Sequence, residues 1–469
     1  MMPRLMVSRR QWAIIPPSFG VLDLRIKLIL QIVITTILSI FLLSCADRDA
    51  DREHPGLAEH LPSAEDLNIL VVSFDALRAD ALGLYGYERE TSPNLDAFAE
   101  QALVFDHAYS ASNTTPTSFA SAFTGQYAYK VFIGWQLIPS TTLAGMLQET
   151  GRHTFGLFNN IQVAAERHFG QGFDDYSVVS VRDEKILEDA KRLLDEAKDR
   201  KFFGWVHFIS PHTPYKYREM AAHLAPQQSE GRFAETTGGH FEVESPEELA
   251  RVRDLYDANI YFGDHLFGEL MAHLESLGLA DNTVVIVTSD HGEEFMEHGQ
   301  LQHNALYEEL IHIPMIIRHP GMEQGARTDA RYVGVDLLPT VAAMAGLEPP
   351  QGIDGIDLYN PFNADRQRLA VGMTNDKRQE ISNERRGKKL ILGCAEYEEE
   401  LYDLALDPEE RNDLVLDQPA LAGTLYDAML GITVADPCNL LKGANRGKAP
   451  EDLLSTEQIE QLRSLGYIQ

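Results

Sequence analysis

The stretch Asn68–Asp80, NILVVSFDALRAD, decides the fold. Asn68–Phe74 is a short, nearly unbroken apolar run rich in β-branched residues, the pattern of a strand buried on both faces, and Asp75 stands at its carboxyl end. The pattern recurs in HTFGLF (His153–Phe158), FFGWVHFI (Phe202–Ile209) and TVVIVTS (Thr283–Ser289). Between such runs lie helical segments. In SPEELARVRDLYDANIYFGDHLFGELMAHLESLG, Ser245 and Glu248 have capping-box spacing, Pro246 takes the first position, apolar residues recur every three to four places, and Gly278 follows the end. This alternation predicts an α/β fold, a mostly parallel sheet flanked by helices, with ligands beyond the carboxyl ends of the strands. There is no internal repeat. After Pro361 the pattern changes: KKLILGCAEYEEELYDLALDPEERNDL reads as a strand, a bend and a carboxylate-rich loop, and LSTEQIEQLRSLGYIQ as a short amphipathic helix. The expected organisation is a catalytic domain over 67–360 and a smaller C-terminal α+β subdomain over 361–469.

Ahead of the fold, Arg25 and Lys27 precede LILQIVITTILSIFLLSC, an apolar run that ends at Cys45 and is short of the roughly 20 residues of a spanning helix. Residues 1–45 are therefore read as a signal of the bacterial lipoprotein type with Cys45 as the lipidated residue, an uncleaved anchor being the alternative. Residues 46–66, polar and acidic, are read as a tether. Both readings place the body in the cell envelope, outside the cytoplasm and attached to a membrane. Cys394 and Cys438 can pair in such a compartment, and no Cys/His spacing suggests structural zinc. The 469 residues include 71 acidic and 40 basic ones, for a formal net charge of −31. Such a surface excludes nucleic acid as a partner, and an anionic substrate needs local cations or a metal to bind.

Asp75 follows one buried strand, and Asp290 and His291 follow another, in VVIVTSDHGEEF. Taken singly, each has an ordinary structural explanation, such as a helix cap or a loop hydrogen bond. If both strands share a sheet, the three side chains open onto one edge and form a site for one divalent metal ion. Ca²⁺ and Mn²⁺ suit it best, with Mg²⁺ and Zn²⁺ admissible. SNTTPTSFASAFTG (Ser112–Gly125) raises a second question. Thr115 reads either as the N-cap of a helix whose first position is Pro116, or as a nucleophile at a helix start.

Six segments, NILVVSFDALRADALGLYGYERETSPNLDAFAEQALVFDHAYS, VHFISPHTPY, TVVIVTSDHGEEFMEHG, LYEELIHIPMIIRHPG, VDLLPTVAAMAG and ELYDLALDPEERNDL, resemble successive blocks of the sulfatase family within the alkaline phosphatase superfamily. They run in order over residues 67–415. The resemblance implies that fold and places the nucleophile in the Ser112–Gly125 segment, where sulfatases carry a cysteine or serine that becomes formylglycine. Counting back from Thr124-Gly125 puts Thr115 at that position and Ser118 on the family serine; counting from Pro116 chooses Thr114. A threonine cannot become formylglycine, so none is expected. A hydroxyl activated by a cation can instead attack phosphorus or sulfur directly, as in related phosphoethanolamine and phosphoglycerol transferases. The resemblance further assigns His212 and His303 to holding the oxyanion or protonating the leaving group, and His298 to shaping its loop. Three positions depart from the family: Ala76 replaces a second aspartate, Phe119 the arginine that braces formylglycine, and Asn159 or Asn160 a lysine.

Three functional readings follow. The first is a metal-dependent hydrolase or transferase of phosphate or sulfate esters with Thr115 as nucleophile. The second is a sulfatase that works without formylglycine. The third is an inactive sulfatase-like protein that binds a glycan or headgroup. The expected partner is an anionic ester, a sulfated or phosphorylated glycan or a lipid headgroup. Selectivity is expected from loops such as QQSEGRFAETTGGHFEVES (Gln227–Ser245).

Overall fold

In the computed structural model the described residues are 53–178, 182–226, 243–322, 324–363, 365–373, 379–395 and 397–444, with Ser455, Thr456 and Ile459. Residues 1–52, with the expected signal and Cys45, lie outside them, as do most of the C-terminal amphipathic segment and residues 227–242 of the expected selectivity loop.

Eight strands form the central sheet. In chain order they are β1 (Asn68–Phe74), β2 (Leu103–Tyr109), β3 (His153–Phe158), β4 (Asp175–Val178), β5 (Phe202–Phe208), β6 (Thr283–Ser289), β7 (Met315–Arg318) and β8 (Ala326–Val333). Their order across the sheet is β8-β2-β7-β6-β1-β5-β3-β4. All pairings are parallel except those of β7, which runs antiparallel to both β2 and β6. β1 lies near the centre and is buried at every residue. Ile69 and Val71 face one core, while Leu70, Val72 and Phe74 face the other. The first core is closed by helix α1 (Thr115–Thr124) and the second by α2 (Asp183–Ala197) and α3 (Pro246–Ser276). In α3 the Ser245 hydroxyl accepts from Glu248 N at 3.2 Å, as the capping spacing predicts.

The C-terminal part is a four-stranded antiparallel sheet, β9 (Arg368–Met373), β10 (Gln379–Arg385), β11 (Lys388–Gly393) and β12 (Glu398–Asp403), with helices α4 (Pro419–Thr433) and α5 (Pro437–Ala444). Leu369, Val371, Ile381 and Leu390 belong to the same apolar cluster as Ile69 and Val71, so the two parts share one core. The tether expected over 46–66 differs from what is observed in its described part. Residues 53–66 are packed rather than free: Leu57, Leu61 and Ala64 are fully buried, and Glu53–His54 pair with Phe362–Asn363. The apolar residues scattered through that polar stretch find partners that only the tertiary fold supplies. The smaller C-terminal part expected after Pro361 is this antiparallel sheet with its helices, and the described residues from Glu53 onward form one compact unit.

Two covalent and ionic links hold the C-terminal sheet. Cys394 and Cys438 are joined as a disulfide across 44 residues, tying the end of β11 to α5. Replacing both by serine is expected to cost about 2–4 kcal/mol in urea unfolding, through the added freedom of the unfolded chain. Beneath β11, fully buried Lys389 lies 2.8 Å from Glu410 and 3.0 Å from Glu308. Burial pushes Glu410 up to about 7, whereas Arg368 and Lys389 hold Glu308 down at about 2 against its burial. These glutamates come from two of the sequence blocks quoted above, whose role here is to join the layers.

Candidate active site

Phe74 of β1 pairs with Ser289 of β6, so Asp75 and Asp290 leave the sheet side by side. The chain then turns sharply. Ala76 has a φ of 62°, and this left-handed conformation aims its N–H at Asp290 Oδ1, 3.1 Å away. His291 N donates to the same oxygen at 2.8 Å. Among the described residues Asp290 Oδ2 has no hydrogen-bond partner. Asp75 is similarly divided: Oδ2 accepts from Asn160 Nδ2 at 2.7 Å, and Oδ1 has no hydrogen-bond partner among the described residues. His291 Nδ1 is 2.8 Å from the Gly292 carbonyl, which can only accept, so Nδ1 carries the hydrogen and Nε2 a lone pair. That Nε2 also lacks a hydrogen-bond partner and lies 3.6 Å from Asp75 Oδ1 and 3.7 Å from Asp290 Oδ2.

Three lone pairs, one per side chain, thus converge where at most 3 % of any of the three residues is exposed. Buried acceptors left unmade are costly, and a divalent cation among two carboxylate oxygens and an imidazole nitrogen satisfies all three. The charges agree. Burial and the neighbouring Asp75 push Asp290 up, the mark of two carboxylates that need a cation between them. Asp75, Asp290 and His291, expected from sequence to share one edge, are brought together as a site that fits a divalent metal.

Thr115 is not the helix cap. Thr114 takes that position, with extended backbone, and Thr115 is the first helical residue. Thr114 Oγ1 meets Thr117 Oγ1 at 2.5 Å, within the helix start. The fully buried Thr115 hydroxyl instead faces Asp75 Oδ2 at 3.5 Å and Asn160 Nδ2 at 3.2 Å. Of the two asparagines considered in place of the family lysine, Asn160 reaches the site, and Asn159 hydrogen-bonds Asp183. Phe119, one turn after Thr115, packs on the rings of Phe158, Trp205 and His207.

His212 and His303 border the same space. The His303 ring lies 4.8 Å from His291 and 5.3 Å from His212, centroid to centroid. Behind it, Glu293 is 3.5 Å from His303 Nδ1 and accepts from Tyr215 at 2.8 Å. Burial, together with His291 and His212, lowers His303 to about 4 against the pull of Glu293, so its ring is neutral near pH 7. His298 stands apart, bonded to Glu309 at 2.7 Å and stacked on Tyr307, consistent with shaping its loop. Sequence reasoning missed His207, whose Nε2 lies 3.5 Å from Asp75 Oδ2. The available signal was a lone polar ring inside the otherwise apolar strand FFGWVHF.

Comparison with known proteins agrees with this architecture. The sequence model of the sulfatase family matches residues 67–347. The chain is 28% identical over 391 residues to an ulvan-active sulfatase of Formosa agariphila, covering 72% of this chain and 73% of that one. It is 23% identical over 466 residues to an N-acetylglucosamine-6-O-sulfatase of Bacteroides thetaiotaomicron, covering 74% and 82%. Among solved structures, a protein in complex with its substrate D-glucosamine-2-N,6-O-disulfate superposes with a TM-score of 0.67 at 21% identity, covering 80% of this chain and 99% of that one. The phosphonate monoester hydrolase of Agrobacterium radiobacter superposes with a TM-score of 0.65 at 19% identity, covering 78% and 95%. With the match spanning both strand ends that carry Asp75, Asp290 and His291, this chain belongs to the sulfatase family.

Proposed function

We propose that the protein is a metal-dependent hydrolase of sulfate or phosphate esters in which Thr115 is the nucleophile, without formylglycine. The observation that carries this reading is the Thr115 hydroxyl held between Asp75 Oδ2 and Asn160 Nδ2, beside the three unpartnered ligand atoms. Asp75 Oδ1, Asp290 Oδ2 and His291 Nε2 hold the cation. When bound, it offsets the carboxylate charge and polarises the oxygens of the ester. Thr115 Oγ1 gives its proton to Asp75 Oδ2 and forms a bond to sulfur or phosphorus, while the bond to the ester oxygen breaks and the alcohol departs. Asn160 Nδ2 stabilises the negative charge developing on Oγ1. His212 is assigned to give the departing oxygen its proton, with His303 beside it. Water then attacks the same centre and gives a proton to His212, while the bond to Oγ1 breaks and Asp75 Oδ2 returns its proton to Thr115.

The similarity to an ulvan-active sulfatase and to an N-acetylglucosamine-6-O-sulfatase favours a sulfated glycan. A phosphate or phosphonate ester, or transfer to a second alcohol, is the chemical alternative that a threonine admits. One observation favours a different reading, a protein that binds anionic glycans without turnover: Phe119 and Asn160 stand where the resemblance expects cationic side chains. A panel of aryl sulfates, phosphate monoesters and phosphodiesters with Ca²⁺, Mn²⁺, Mg²⁺ or Zn²⁺ decides between them. Turnover accompanied by an adduct on Thr115 in mass spectrometry supports hydrolysis. Glycan binding with no turnover of any ester sinks it. Cation binding is also read without activity: Mn²⁺ at 100 times its Kd is expected to stabilise the fold by about 2.7 kcal/mol, and EDTA to reverse it. An unchanged melting curve refutes the cation. A location outside the cytoplasm, expected from the N-terminal segment, is supported by the Cys394–Cys438 disulfide.

A further inference from the structure

His207 is fully buried within β5, its ring 4.9 Å from Phe119 and 5.8 Å from Phe158, yet it points a nitrogen at the site. Its partner across the β1–β5 ladder is Ser73, whose hydroxyl lies 3.0 Å from Nδ1. Trp205 Nε1 donates to that hydroxyl oxygen at 2.8 Å. An indole N–H can only donate, so Ser73 Oγ accepts there and its own hydrogen is left for His207 Nδ1. The opposite assignment makes Ser73 Oγ accept twice and strands its hydrogen in the core. With Nδ1 accepting from Ser73, the His207 ring carries its hydrogen on Nε2. That atom lies 3.5 Å from Asp75 Oδ2 and has no closer hydrogen-bond partner among the described residues.

Around Asp75 the donors are all on one side. Asn160 Nδ2, the Thr115 hydroxyl and His207 Nε2 approach Oδ2, at 2.7, 3.5 and 3.5 Å, while Oδ1 has no hydrogen-bond partner among the described residues. We infer that His207 is a positioning residue: a donor chain from Trp205 through Ser73 to His207 fixes the rotation of Asp75, so that Oδ1 is the oxygen presented to the cation. Outer partners of this kind orient a ligand and hold down the entropy lost on binding. The assignment rests on the reading that the site binds a divalent cation.

The test is titration calorimetry of metal-free protein with Mn²⁺. His207→Phe keeps the aromatic packing and removes the donor, and is expected to weaken the Kd by about 10- to 100-fold. His207→Gln, whose terminal N–H reaches toward the same oxygen, is expected to stay within about threefold of wild type. Melting of each variant in EDTA separates donor loss from damage to the fold. If His207→Phe does not fold, Ser73→Ala is used instead, which keeps the ring but releases its tautomer, and it too is expected to weaken Mn²⁺ binding. Wild-type affinity in His207→Phe, or in Ser73→Ala where that variant replaces it, overturns the assignment. So does an equal loss in His207→Gln and His207→Phe when both melt like wild type in EDTA. Failure of the wild-type protein to bind Mn²⁺ overturns the cation reading itself, and this inference with it.

Discussion

Thr115→Ala is expected to reduce kcat/KM toward any ester the protein cleaves by at least about 10⁴-fold, because removal of an attacking oxygen leaves only binding and electrostatic contributions. The side chain is fully buried at a helix start, and its hydroxyl makes no cap. Loss of that hydroxyl therefore leaves the helix itself largely unchanged. Thr114→Ala is the control. Thr114 is the residue in the cap position, and its hydroxyl engages Thr117 rather than Asp75, so a loss below about tenfold is expected. Thr115→Ser keeps the oxygen and is expected to retain measurable activity. If Thr115→Ala and Thr114→Ala fall equally, or if Thr115→Ala keeps more than a tenth of wild-type turnover, the attacking group is another atom, and water becomes the nucleophile to consider.

The second large effect lies away from the chemistry. Lys389→Met is expected to destabilise the protein by roughly 3–5 kcal/mol, since it leaves Glu308 and Glu410 buried around an apolar side chain. The Glu410 carboxylate ties the loop after β12 to the Glu308 backbone, whose N–H donates to Glu410 Oε2 at 2.6 Å. Arg368 remains 3.4 Å from Glu308 and limits the damage on that side. Burial pushes Glu410 up and Lys389, 2.8 Å away, pulls it back, so this carboxyl is the one most exposed to loss of the ammonium. Adding Glu410→Gln to Lys389→Met is therefore expected to recover part of the loss. Urea unfolding measures both. A cost below about 1 kcal/mol for the single change would mean that water reaches the pair and screens it.

Much of this molecule is legible along the chain. The runs at Asn68–Phe74, Phe202–Phe208 and Thr283–Ser289 are strands buried at every position, as continuous apolar composition implies. The Ser245 cap and the long helix behind it follow from local chemistry alone. Other features were closed to it. Whether Thr114 or Thr115 caps the helix turns on a single backbone rotation, and both residues suit either place. Asn159 and Asn160 are chemically identical neighbours, separated only by the presence of Asp183 on one side and Asp75 on the other. The burial of Leu57 and Leu61 depends on the segment near Leu358, far along the chain.

The amino-acid order by itself determined which side chains end the buried strands: the alternation of a strand is a local, two-residue property, so Asp75, Asp290 and His291 had to emerge at carboxyl ends. Only the tertiary structure decided that those two strands are neighbours, that β7 enters the sheet antiparallel, and that the Thr115 oxygen turns toward Asp75. Strand neighbours are chosen by packing between segments more than two hundred residues apart, and no local preference encodes that choice.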